Sequence, residues 1–535
     1  MMLVFLSFLA LVAAFAAARV RVVGTMGHRL ALWEAPVRRH GPVVVALISI
    51  AVVWFTWDAV VPLAKVHDES SYLLQADIFA SLRWTAPSPP IPDFFEQPHV
   101  QVVPSVASKY PPGHALLLSL GSLIGFRALV PLLLTAITAA LIFRLAARLT
   151  DVWTAVLAWL VWLTAPLVLR FQPSYFSEVT TAPLVLASWW LLLNWREDRR
   201  PRWLWWMALA IGWGAITRPL TMLAFAIPIG VVVLRDTLRH RRWRDLAIAM
   251  AVGSAVLAML PLWSARTTGN WRVSPIEQYR LDYLPFDKLG FTPDTSTPRR
   301  LVSPVLKTTY DYFLSARKQQ SLAALPRTAV DRVVQLTIAL FQEARLPLLV
   351  LALIGLAVCR GAVRFGALSG AVLLAAHLPY AHWAPWTIYY MELVPVVALL
   401  TALGAGVVAR RLAVGENAAR GALALATVVL AFFAVPVVGK WKQDHRVRAA
   451  FGLRFAEQLR RLPSQRAIVF IHYSPRVSQH LSEVFNHADL SSVPVWVVHN
   501  LGPRNEELRK LAPDRASFDF EEDQLIVGLR RRENP

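Results

Sequence analysis

The sequence predicts an all-α polytopic membrane protein of about twelve transmembrane helices, with a small C-terminal α/β domain outside the bilayer. Three observations carry this. Of the 535 residues, 56% are hydrophobic and 17% charged, against about 45–50% and about 25% in ordinary soluble proteins. Apolar runs recur at the length set by a bilayer core of about 30 Å, which takes about 20 helical residues and about 17 at the short limit. After residue 439 such runs stop, and short β-branched stretches replace them.

Runs of this length lie near 2–18, 43–63, 127–147, 152–169, 178–195, 203–217, 219–234, 246–265, 344–359, 366–383, 388–409 and 421–439. The first, MMLVFLSFLALVAAFAAARV, offers small residues at Ala16 to Ala18 for signal-peptide cleavage. No Lys or Arg precedes it, while Arg19 and Arg21 follow it. An uncleaved anchor with its N-terminus outside fits that charge order better.

Three units result: an anchor and basic cytoplasmic loop (1–42), a transmembrane unit (43–439) with long outer loops at 64–113 and 266–343, and the tail (440–535). In the tail, Val447, Phe451, Phe455, Leu459 and Leu462 recur at helical spacing. Strand-like stretches follow at Ala467–Tyr473, Val493–His499 and Leu525–Leu529.

The net charge of +21 raises nucleic acid as a partner. Its distribution answers otherwise. The loops expected inside (19–42, 144–151, 196–202, 235–245, 360–365 and 410–420) hold 21 Lys and Arg, and the shorter outer loops hold five: Lys65, Arg83, Lys109, Arg170 and Arg218. The cations set topology, with no stripe for a polyanion. Disorder is excluded by 21 Trp and 25 Phe. A lone Cys359 excludes an internal disulfide framework and Cys-based metal clusters.

The candidate chemistry lies in the outer segments. In Lys65-Val66-His67-Asp68-Glu69-Ser70-Ser71-Tyr72, two adjacent carboxylates meet the membrane face ahead of a helix-forming stretch. They suit proton transfer or metal ligation, and equally the capping of a helix N-terminus. Lys109-Tyr110-Pro111-Pro112-Gly113-His114 turns into an apolar helix whose free N–H groups, with Lys109 and His114, could cradle phosphate; the plain alternative is a membrane entry with a snorkelling lysine. Glu178 ends the turn Gln172-Pro173-Ser174-Tyr175-Phe176-Ser177 at the mouth of a span, where a carboxylate is costly unless it has a task or a cap to make. Arg218, in Thr217-Arg218-Pro219, has the planar fork that grips two phosphate oxygens. The run from Trp383 to Glu392 is rich in aromatics, as interface belts are. The histidines His472, His480, His487 and His499 have no metal-ligand spacing. There is no GxxxxGK[ST] signature for a nucleotide.

The order of these pieces (HDESSY, KYPPGHALLLSLG, FQPSYFSE, Thr217-Arg218-Pro219, YYMELVPVVALL) resembles the GT-C glycosyltransferases. Within them it is similar to the bacterial branch related to protein O-mannosyltransferases and lipid A aminoarabinose transferases, over roughly residues 43–410. The resemblance implies a polyprenyl-phosphate sugar as donor. The acceptor would be a hydroxyl on a lipid, glycan or protein at the outer face of a bacterial inner membrane, in lipid A modification or protein glycosylation. It implies Asp68 as base, with Glu69 beside it, and Lys109, Arg218, Tyr390 and His114 toward the donor phosphate. Glu178 would orient the acceptor or share a divalent ion with Asp68 and Glu69. Many relatives carry an Arg before the late Tyr, where Ile388 stands here. The C-terminal segment would sit on the same side as the site, as a lid or an acceptor-docking domain. The competing classes are a transporter or flippase, which would place charges near the bilayer midplane, and an O-antigen-ligase-like transferase using a lipid pyrophosphate.

Overall fold

The computed structural model describes residues 2–58, 64, 66–292, 296–301, 303–463, 466–473, 483–522 and 527–531. Lys65, His480 and residues 525–526 of the last expected strand lie outside them. The chain opens with α1 (Met2–Ala16), α2 (Arg21–Leu32) and α3 (Glu34–Trp57). A long connection then holds α4 (His67–Ala80) and three short strands, β1 (Ala86–Pro87), β2 (Val100–Gln101) and β3 (Ser105–Ser108), paired antiparallel in the order β1-β3-β2. Next come α5 (Gly113–Leu123), α6 (Leu129–Leu149), α7 (Val152–Leu163), α8 (Pro166–Phe171), α9 (Glu178–Asp198), α10 (Pro201–Ala215) and α11 (Pro219–His240). A second irregular region separates α12 (Trp243–Leu257) and α13 (Met259–Thr268) from α16 (Leu325–Phe341), and carries α14 (Pro275–Tyr283) and α15 (Pro304–Lys318). The bundle closes with α17 (Leu346–Val358), α18 (Gly361–Ala376), α19 (Val394–Leu412) and α20 (Glu416–Arg460).

Local chemistry sets many of the helix starts. Proline stands in the first turn of α8, α10, α11, α14, α15 and α19, where its missing N–H costs nothing. Asp151 caps α7 by accepting from the N–H groups of Trp153 (3.0 Å) and Thr154 (2.9 Å).

Seven of the twelve expected spans fall on helices long and apolar enough to cross a bilayer: Met2–Arg19, Glu34–Trp57, Leu129–Leu149, Pro219–His240, Trp243–Thr268, Thr387–Leu412 and Glu416–Arg460. The span expected at 344–359 is one arm of a pair, Leu325–Phe341 and Glu343–Val358, bent by 100°. Among the described residues the count is therefore seven, or eight with that pair. The stretch 152–169 breaks before Pro166 into α7 and α8, while 203–217 and 366–383 contract to helices of 15 and 16 residues. The expected run at 178–195 is α9, 21 residues long and starting on Glu178.

The reason is visible in α7, where ten of its 12 residues are buried. It is apolar all round because protein surrounds it, and a hydropathy rule reads that as lipid. The largest apolar cluster packs α7 with α6, α9, α17 and α19. Polar groups within it are paired: Trp159 Nε1 donates to Ser49 Oγ at 2.9 Å, and Gln172 Nε2 to Thr135 Oγ1 at 2.8 Å. Glycines let α17 and α19 approach closely. A Cβ at Gly404 would lie 1.9 Å from the Leu351 carbonyl oxygen, and one at Gly355 would lie 1.9 Å from that of Leu400.

The tail adds β4 (Ala467–Tyr473), β5 (Val495–His499), α21 (Asn505–Leu511), β6 (Ala516–Glu522) and β7 (Val527–Arg531), in the strand order β5-β4-β6-β7 with only β7 antiparallel. One face of this sheet packs on Phe455 of α20. The other meets Phe94 and Phe95 of the first long connection, through Phe470, Val498 and Leu508. Asp93 binds both Arg300 (2.6 Å) and Arg504 (3.1 Å), so the two irregular regions and the tail share one charged knot.

Gly404→Val is expected to cost about 1–3 kcal/mol through overpacking, read as a lower unfolding temperature in detergent. Gly439→Ala, whose new methyl meets nothing within 4 Å, should hold or raise it.

Candidate active site

The site forms where the first turn of α4 meets the loop ahead of α5 and the turns that open α9 and α11. Successive helical residues point about 100° apart, so Asp68 and Glu69 cannot face the same way. Glu69 turns inward and is fully buried. Its Oε2 accepts from the Val66 N–H at 3.3 Å and its Oε1 from the Tyr175 N–H at 2.8 Å. This ties the start of α4 to the turn before α9. Asp68 keeps 31% of its side chain exposed. Tyr110 donates its hydroxyl to Oδ1, and His99 Nε2 stands 3.6 Å from Oδ2.

Lys109 is only 6% exposed, yet its ammonium makes no ion pair or hydrogen bond among the described residues. It lies over the rings of Tyr279 (4.9 Å) and Tyr110 (5.2 Å). Burial pushes its pKa down, opposed by the charges of Asp287 and then Asp68. Asp287 is in turn pushed up by burial, with Lys109 its strongest opposing charge. The backbone of Lys109 donates to the His99 carbonyl at 3.0 Å, and the His99 N–H donates to the Tyr279 hydroxyl at 2.9 Å. The two long connections thus meet at this lysine.

Arg218 sits at the start of α11 between two glutamates. Nη1 bonds Glu178 Oε1, and Nε lies 3.8 Å from Glu392 Oε1 and 3.3 Å from Thr221 Oγ1. Nη2 donates to no group among the described residues. The guanidinium lies under the ring of Tyr389, 5.7 Å from its centroid. Tyr72 joins the two halves of the site: it stacks on Tyr110 with ring centroids 4.7 Å apart and donates to Ser177 Oγ at 3.1 Å. Burial raises its pKa most, with the charges of Glu178, Arg218 and Asp68 all felt there.

Four expectations change. His114 is fully buried, its Nε2–H donating to the Tyr175 carbonyl (2.7 Å) and its Nδ1 paired with Thr180 Oγ1 (2.8 Å), so it braces the α5–α9 contact and does not face a phosphate. The start of α5 is closed as well. The Gly113 N–H donates to the Ile216 carbonyl at 2.8 Å, and a Cβ there would lie 2.5 Å from Thr217 Oγ1. Tyr390 is turned into the core against His382 (3.1 Å), and its neighbour Tyr389 takes the place by Arg218. The carboxylates Asp68, Glu69 and Glu178 have separate partners: backbone N–H groups bond Glu69, Arg218 bonds Glu178, and no group of three metal-ligating side chains occurs among the described residues.

Sequence reasoning missed His99, Tyr279 and Asp287, which arrive from long connections without periodicity. Tyr110, Tyr389 and Glu392 lay inside quoted motifs without an assigned role.

The long apolar helices of the bundle define a multi-pass membrane protein. The family model for dolichyl-phosphate-mannose-protein mannosyltransferase matches residues 109–264, which include Lys109, Glu178 and Arg218. The fold is similar to that of ArnT from Cupriavidus metallidurans bound to undecaprenyl phosphate, at 15% identity and a TM-score of 0.52 over 90% of each chain. It is also similar to the apo state of that protein, at 14% identity and a TM-score of 0.50 over 91% of this chain and 94% of that one. No curated protein matches the chain in sequence. The chain shares the fold of ArnT.

Glu69→Ala would leave the buried Tyr175 N–H without its acceptor, and is expected to cost about 1–3 kcal/mol of stability. Asp68→Asn should leave the unfolding temperature nearly unchanged, and differential scanning fluorimetry of both variants separates the anchoring carboxylate from the exposed one.

Proposed function

We propose that the protein is a glycosyltransferase that moves a sugar from a polyprenyl-phosphate donor to an acceptor hydroxyl at the outer face of the bacterial inner membrane. The observation that carries this reading is the pairing of unlike groups in one cluster. A partly exposed, oriented carboxylate, Asp68, lies within charge reach of the Lys109 ammonium, and both Asp68 and Arg218 act on Tyr72 between them; among the described residues the Lys109 ammonium makes no ion pair or hydrogen bond and Arg218 Nη2 donates to no group. The undecaprenyl phosphate bound in ArnT supports the class of donor.

In this mechanism Asp68 takes the proton of the acceptor hydroxyl as that oxygen bonds to the anomeric carbon. The bond from that carbon to the phosphate oxygen breaks, and its electron pair leaves with the lipid phosphate. Lys109 and Arg218 meet the charge that develops there. Displacement from the far side of the ring inverts the anomeric centre. Tyr110 and His99 hold the carboxylate in line, and Glu178 and Glu392 fix the guanidinium.

Asp68→Asn is expected to lower transfer from labelled polyprenyl-phosphate sugars by about 10²–10⁴-fold in reconstituted vesicles; undiminished transfer would remove Asp68 from the role of base. The second test is pH. Lys109 holds a phosphate only while protonated, and burial sets its pKa below the ordinary 10.5. Affinity for undecaprenyl phosphate should therefore fall as pH rises through that lowered value, and in Lys109→Arg the fall should move to higher pH. A wild-type binding profile that stays flat up to the ordinary lysine range contradicts the assignment.

A further inference from the structure

One face of α20 changes chemistry just past the stretch expected to span. Val428, Phe432, Val435, Gly439, Lys442 and Arg446 follow one another at intervals of four and three residues, and so lie in one stripe. The three apolar members are exposed, Phe432 at 72%, as side chains that meet lipid are. The last two are cations. At 1.5 Å per residue they stand about 4.5 Å and about 10 Å beyond residue 439, where the apolar run ends. The headgroup layer on each side of a bilayer core is about 5–8 Å deep. Because Cα–Cβ bonds lean toward a helix N-terminus, both side chains tilt back toward the hydrocarbon.

This pair has too little negative charge to satisfy it. Asp58, the residue after α3, is shared between the two, 3.4 Å from Lys442 Nζ and 3.7 Å from Arg446 Nε. Arg446 keeps 70% of its side chain exposed, and its guanidinium makes no hydrogen bond among the described residues. Lys440 and Arg448, on another face of the helix, each have an acid of their own, Glu343 at 2.7 Å and Asp444 at 2.9 Å. Two cations and one carboxylate leave the lipid-facing corner one positive charge in excess. A second apolar stripe leads into it along α3, through Val44, Ile48, Ala51 and Phe55, all exposed. The Phe55 ring ends that stripe with its centroid 3.8 Å from Lys442 Nζ. The seam between the stripes is open at Gly439, where a Cβ would meet nothing within 4 Å. The corner is also tied to the level of the candidate site: His445, between the two cations in sequence, donates Nε2–H to the Leu169 carbonyl at 2.9 Å, just ahead of the turn that leads to Glu178.

We infer that this corner binds an anionic phospholipid of the surrounding bilayer, with the phosphate between Lys442 and Arg446 and an acyl chain along the seam between α3 and α20. The excess positive charge favours a headgroup of net negative charge over a zwitterion. The two stripes give an acyl chain the apolar contact that a soluble phosphate cannot use. The site is separate from the Lys109 and Arg218 cluster, and holds whether or not the chain transfers sugar.

The test uses the full chain, delipidated in detergent and titrated under native mass spectrometry with phosphatidylglycerol, phosphatidylcholine, undecaprenyl phosphate and glycerol 3-phosphate. Phosphatidylglycerol should bind more tightly than phosphatidylcholine, and glycerol 3-phosphate should not displace it. Replacing both Lys442→Gln and Arg446→Gln should weaken the tightest phosphatidylglycerol site about tenfold to thirtyfold, about fivefold for each cation at a membrane surface. The pair Lys440→Gln and Arg448→Gln, off the stripe, should leave it within about twofold. Asp58→Asn removes the competing carboxylate and should tighten binding about threefold to fivefold, a gain that misfolding does not imitate. The inference is overturned by phosphatidylglycerol binding that the stripe variants leave unchanged, by an equal loss in the off-stripe pair, or by weaker binding in Asp58→Asn. Equal affinity for phosphatidylcholine, displacement by glycerol 3-phosphate, or a loss confined to undecaprenyl phosphate would overturn it as well, assigning the corner to zwitterionic lipid, to free phosphate or to a polyprenyl lipid.

Discussion

The structure depends on a cation buried between two carboxylates. Arg218 opens α11, Glu178 opens α9, and Glu392 precedes α19. Bringing such charges out of water costs several kcal/mol per ion unless they meet. Once met, they fix three helix starts to one another, because no member can leave without stranding the others. Tyr72 and Ser177 extend the tie to α4. A bundle of apolar helices has little else to set its register, since lipid and a neighbouring leucine are nearly equivalent surroundings.

That tie explains the division of labour around it. Of two adjacent carboxylates, one is consumed in structure and one is left partly exposed, and the helix decides which. Glu69 repairs two open backbone donors, a task that would make it a poor proton acceptor. Asp68 is held by a phenol and an imidazole that orient it without enclosing it. His114 and Gly113, which the sequence places beside the candidate lysine, are likewise used to seat α5, His114 against the start of α9 and Gly113 against the α10–α11 turn.

Much of the class was legible in the chain, and the reasons are physical. Hydropathy over a bilayer length identifies a membrane protein before any fold is known. The order of HDESSY, KYPPGH and the later motifs carries the resemblance to the GT-C glycosyltransferases, and the structure shares the fold of ArnT. The number of spans was less legible, because α7 is as apolar as a lipid-facing helix while being enclosed by protein. The roles within the site were least legible. Whether Tyr389 or Tyr390 faces Arg218 is decided by one residue's rotation within a 3₁₀ turn. His99, Tyr279 and Asp287 come from connections whose paths follow no period. Lys109, read as a phosphate ligand with a snorkelling lysine as the plain alternative, is roofed by two tyrosines, and the contact with Tyr279 is made only when residues far apart in sequence fold together.

The helix α20 runs unbroken for 45 residues, about 68 Å at 1.5 Å per residue, more than twice the thickness of a hydrocarbon core of about 30 Å. Its far end carries the sheet of the tail, and that sheet is knotted through Arg504 and Asp93 to the connection that also supplies His99 and Lys109. A stiff rod anchored at both ends behaves as a lever. A change in the tilt of this helix would be felt as a sideways pull on the loop bearing Lys109.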